Sequence, residues 1–121
     1  MISVKKTVIL FFFIQAININ IYASNSKLLF NGNCTICHLI SKNKTAPSIL
    51  EIKSRYLRAY PNKKDFVKQM SIWVKNPNEE TSIMQEYITK YKIMPNLAYD
   101  IGALEEIAAY IYDTNFLTNK N

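Results

Sequence analysis

The sequence is poor in the residues that loosen a chain: its 121 residues include two glycines and four prolines. That excludes collagen-like repeats and Gly/Ser linker polymers. Disorder is excluded from the other side, because 49% of the residues are hydrophobic and eight tyrosines and six phenylalanines are among them, which is too much apolar surface to leave unburied. Metal-binding side chains are scarce. Two cysteines and one histidine cannot complete a four-ligand zinc site without a carboxylate or a second chain. No apolar run of membrane-spanning length is present: the stretch from Val8 to Ala23 has 16 residues and contains Gln15, Asn18 and Asn20, where a spanning helix needs roughly 18 or more. Acidic residues number nine against 15 basic ones, for a net charge of +6. Lys42, Lys44, Lys53, Lys63, Lys64, Lys90 and Lys92 are scattered, not gathered on one element, so no nucleic-acid partner is expected. Such lysines form a solvated surface, and some can steer the chain onto an acidic protein.

What is present begins with Lys5 and Lys6, followed by Val8, Phe11, Phe12, Phe13 and Ile14 and then Ile21-Tyr22-Ala23. This is the pattern of a secretory signal, with cleavage expected after Ala23 and a retained anchor as the alternative. Residues 1–23 are read as signal peptide and 24–121 as one exported domain in the periplasm, with no stable membrane insertion once the signal is cut. Cleavage removes two lysines and no acid, lowering the charge by two.

The exported part shows helical periods and no two-residue alternation bounded by hairpin turns, so the predicted fold class is all-α with four to five helices. A first helix starts at Asn25 or Ser26 and runs into Cys34–Cys37, carrying Leu29 and Phe30. Ala46-Pro47 blocks continuation, and a second segment spans about Ser48 to Tyr60. From Lys63 to Lys75, Phe66, Met70, Trp73 and Val74 form one apolar stripe. A further helix buries Met84, Tyr87, Ile88 and Tyr91 and ends at Met94-Pro95. The last turns Ile101, Leu104, Ile107, Ala108 and Ile111 inward, and residues 113–121 read as a frayed polar tail.

One constellation dominates: Cys34-Thr35-Ile36-Cys37-His38. On a helix, positions i, i+3 and i+4 share a face, so both thiols and the imidazole point toward one object. C-x-x-C-H is the attachment pattern of c-type haem, in which each thiol adds to a vinyl group and the histidine ligates the iron. A thioredoxin-like dithiol would expect a strand feeding the helix, and no β-branched run precedes Cys34. A plain disulfide across so short a loop stabilises little by chain entropy. With His38 on one side of the iron and no second histidine, methionine is the leading second ligand. Met70 and Met84 fall on helical stripes, where gap-filling is the usual role. Met94 precedes a proline and is pushed out of helical conformation, which lets its thioether reach across; Met84 is the reserve.

In these residues the chain resembles the small single-haem class I cytochromes c of bacterial periplasms, over roughly residues 26–112. Phe30, Cys34, Cys37, His38, Pro47, Met94, Pro95 and Tyr110 carry the resemblance. Leu39, Ala46 and Lys27 stand where many relatives have glycine. The resemblance implies a class I cytochrome c fold around one covalent haem c, with thioether bonds at Cys34 and Cys37 and iron ligated by His38 and Met94. It further implies that the Pro47 carbonyl accepts from the other His38 nitrogen, and that the last helix crosses the first near Phe30 and Tyr110. Trp73, Tyr56, Tyr60, Tyr87, Tyr91 and Tyr99 are candidates to line the pocket or bond the propionates. The implied function is a one-electron carrier, not an enzyme, between membrane respiratory complexes or periplasmic reductases and oxidases. The alternatives are a haem subunit of a larger oxidoreductase, or a haem enzyme or gas-binding protein with a labile axial site.

Overall fold

The computed structural model describes residues 25–118. The signal-like segment 1–23 and residues 119–121 lie outside them. The described chain is helical, with no strand among the described residues: α1 covers 25–33, α2 is Ile49–Ala59, α3 is Lys63–Lys75, α4 is Gln85–Tyr91 and α5 is Ile101–Asp113. Among the described residues no helix is long and apolar enough to cross a membrane.

Capping residues set these boundaries. The Ser48 hydroxyl accepts the Glu51 amide at 3.2 Å, the Asn62 side chain accepts that of Asp65 at 2.9 Å, and Asp100 accepts that of Ala103 at 3.1 Å. Each side chain satisfies an amide that the first helical turn leaves without a partner. Prolines 61 and 77 lie just beyond the ends of α2 and α3, where no further helical amide can be supplied. α1 stops at residue 33, but helical hydrogen bonding continues past it. The Cys34 amide donates to Phe30 O at 2.9 Å and the His38 amide to Cys34 O at 2.9 Å.

The core lies where α3 packs on α5, with α2 against both. Phe66 and Met70 from α3 meet Ile107, Ala108 and Ile111 from α5, and Tyr56 of α2 closes the layer. Ala108 is fully buried and has only a methyl group, which lets the two helices approach closely. Phe66 meets Tyr56 and Tyr112 edge-on, at ring separations of 5.8 and 5.2 Å, the arrangement favoured by the ring quadrupoles. At the other end of the core, Phe30 of α1 lies 5.2 Å from Tyr110 of α5.

Three expectations change. None of α4's residues is buried; Tyr87, Ile88 and Tyr91 are half-buried because they border a cavity and not packed side chains. Ile101 is 40% exposed, since it begins α5 beyond the reach of α3. The segment after α5 is not a free polar tail as far as residue 118. Phe116 is buried between Phe30 and Tyr110, 5.5 and 6.2 Å away, and Lys53 anchors the turn by donating to Tyr112 O and Thr114 O at 2.8 and 2.7 Å.

Candidate functional site: an apolar cavity bordered by the C-x-x-C-H segment

The cavity has a volume of about 330 Å³ and is walled mainly by apolar side chains of every helix from α2 to α5. The residues singled out from the sequence meet there. Cys34, Cys37, His38, Pro47 and Met94 all border it, although they come from three separate stretches of chain.

The turn after α1 sets the first three. Asn33 donates to Leu29 O and Thr35 to Asn31 O, each at 2.7 Å, tying the end of the helix to the following turn. The bond from the His38 amide to Cys34 O then keeps a helical rise through the motif, so that positions 34, 37 and 38 face one way while Ile36 is 78% exposed. Both cysteines are free thiols. Burial pushes the Cys34 thiol up to about 11, leaving it neutral near pH 7. An attacking cysteine of a dithiol oxidoreductase has the opposite shift, toward the thiolate. Among the described residues no group of three or more Cys, His, Asp and Glu side chains converges as metal ligands. The two sulfurs and the imidazole thus border one space without closing on one point.

The loop from 39 to 48 sets Pro47. Ile49 and Leu50 amides donate to Leu39 O and Ile40 O at 2.9 and 3.0 Å, and the Ser48 amide donates to Asn43 Oδ1 at 2.6 Å. The loop closes beneath His38, whose Nδ1 lies 2.7 Å from the Pro47 carbonyl oxygen. A carbonyl can only accept, so Nδ1 carries a proton, and in the neutral ring Nε2 is the nitrogen with the lone pair. An imidazole held this way is a preoriented donor for a metal.

Met94 lies half-buried in the extended segment between α4 and α5. Lys75 donates to the Tyr99 carbonyl, joining that segment to the end of α3. Met70 and Met84 also border the cavity, at 4% and 7% exposure. The structure therefore brings all three described methionines to one space.

Of the candidate aromatics, Tyr56, Trp73, Tyr87, Tyr91 and Tyr99 border the cavity, and Tyr60 does not. The Trp73 indole donates to Asn78 O at 3.0 Å, which commits its one donor to its own loop. Tyr99 donates weakly to Asn33 O at 3.4 Å, and burial, with Cys34 and Cys37 nearby, raises its phenol above the ordinary value. Unforeseen from the sequence are Ile52, Ser71 and Leu97 on the wall and Asn43 beneath the loop. Ile52 alone had a signal, since it lies on the apolar side of α2. Ser71 commits its hydroxyl proton to Val67 O at 2.6 Å.

A scan against models of protein families, a search of curated proteins and a search of solved structures each found no match to this chain.

Proposed function

We propose that the chain is a single-haem c-type cytochrome with the class I fold, exported to the periplasm, that carries single electrons between respiratory donor and acceptor proteins. The observation that supports this best is the meeting of Cys34, Cys37, His38 and Met94 at one apolar cavity, with the Pro47 carbonyl already holding His38 Nδ1. The donor set fits the group. Two free thiols stand on the same side as an imidazole whose Nε2 is available, and thioethers border the same space.

In this reading Cys34 and Cys37 hold haem c by thioether bonds, and His38 and Met94 are its iron ligands. When bound, the haem supplies a one-electron ferric/ferrous couple, which a thioether ligand biases toward the ferrous state. The chain does the rest. Pro47 fixes the His38 ring and keeps its proton on Nδ1. Ile52, Ile107 and Ile111 wall the space with groups that cannot reorient as charge changes, which keeps solvent reorganisation small. The scattered lysines suit brief docking on acidic partners, weak enough to release after transfer.

The test is the visible spectrum, oxidised and reduced, of the full chain exported in a host with cytochrome c maturation. The expected result is covalently retained, low-spin haem with a methionine-to-iron charge-transfer band and no carbon monoxide binding when reduced. A high-spin product that binds carbon monoxide would overturn the carrier reading. No retained haem, or retention undiminished by Cys34→Ser together with Cys37→Ser, would overturn the attachment.

A further inference from the structure

We infer that α4 is a lid on the cavity, closed by a polar latch in which Arg55 holds the helix to α2. The inference stands on geometry outside the C-x-x-C-H segment.

α4 has few other means of staying in place. It has seven residues, none of them buried, and its N-cap Met84 supplies no side-chain hydrogen bond. A helix of this length does not persist on intrinsic propensity. Its inner side chains, Tyr87, Ile88 and Tyr91, border the cavity, and among the described residues no other helix packs against α4. At its far end Lys92 adopts φ 72 with ψ 170, an uncommon conformation for a residue with a Cβ. Beyond the buried Met84 at its start, what joins α4 to the body is polar. Arg55 Nε lies 3.0 Å from Glu51 on its own helix, and its guanidinium also pairs with Glu86 on α4. One planar fork thus engages two carboxylates on two elements, the geometry in which arginine differs from lysine. Burial, and after it the nearby Glu51 carboxylate, raise the Tyr87 phenol above its ordinary value, which places it beside Glu51 of α2 and close to Asn43. Asn43 is the residue that holds the Ser48 amide and closes the Pro47 loop.

The latch is weak because its members are solvated: Arg55 and Glu86 side chains are 34% and 52% exposed. A weak latch on a short helix opens locally, without unfolding the α3–α5 core. Opening would uncover the cavity on the α4 side.

Amide hydrogen exchange of the full exported chain tests this, read at the Ile88 and Lys92 amides, which donate to Met84 O and Ile88 O. Arg55→Met and Glu86→Gln are each expected to speed exchange there by about two- to five-fold, the range of a single solvated ion pair. Exchange in α3 and α5 should hold steady, and the double variant should exceed neither single one. Lys63→Met, which breaks the separate pair with Asp113, should leave α4 unchanged. The lid is overturned by unchanged α4 exchange in both single variants, by equal acceleration in all helices, or by strictly additive effects in the double variant.

Discussion

At the residue scale, the proposed haem site turns on which methionine would complete it, with Met84 and Met94 the two candidates. Met84 is nearly buried at the start of α4, and Met94 is half-buried in the extended segment before Pro95. A thioether in a packed wall fills volume, whereas one on an extended segment can move onto a ligand without dismantling a helix. Met94→Ala in the haem-loaded protein should therefore abolish the charge-transfer band and admit carbon monoxide, and Met84→Ala should retain the band. The reverse outcome, read in the same spectra, would transfer the role to Met84. Single residues were legible to different depths. Cys34, Cys37 and His38 announce themselves by spacing, because i, i+3 and i+4 coincide on any helical turn. The pairing of Pro47 with His38 has no such periodic signal. It depends on a loop closed by Asn43 Oδ1 on the Ser48 amide, and the sequence alone indicated it only through resemblance.

At the element scale, legibility followed the caps. α3 was expected over Lys63 to Lys75 and is found there, since Asn62 caps its start and Asn76-Pro77 terminates it. α4 was expected with a buried face, yet apolar periodicity tells only which side is apolar and not what covers it. Here it borders a cavity. Nor does any residue type mark the exit from α4, where lysine occupies a conformation that suits glycine. Lys92→Gly should relieve that conformation and stabilise the fold by about 0.5–1 kcal/mol, after the larger backbone entropy of glycine in the unfolded chain is subtracted. Urea denaturation followed by far-UV circular dichroism measures it. Destabilisation would mean that the Lys92 side chain at the cavity rim contributes more than its backbone costs.

At the scale of the whole molecule, the C-x-x-C-H segment is only as steady as the helix that delivers it. α1 meets the body of the protein at Phe30, 1% exposed, and the ring contacts there come from Tyr110 of α5 and from Phe116 in the following turn. Both described ends of the chain thus close on one aromatic cluster, and Lys53 fixes the second end by its bonds to Tyr112 O and Thr114 O. Phe116 and Leu117 interrupt an otherwise polar stretch without any periodicity to say which of them is buried, and for that reason the segment reads as tail in the sequence. Burial of a phenylalanine between two rings is worth far more than an exposed neighbour of similar hydropathy. Phe116→Ala should destabilise the protein by about 3 kcal/mol, at the lower end for a buried phenylalanine because the site is near the surface and can partly collapse. Leu117→Ala, at a position 72% exposed, should stay within about 0.5 kcal/mol. Chemical denaturation of both variants beside the parent decides between a structural closure and a loose end. Equal, small effects would show that α1 is held without Phe116, and the positioning of Cys34, Cys37 and His38 would then rest on its other contacts, chiefly Phe30 with Tyr110 and the packing of Leu29.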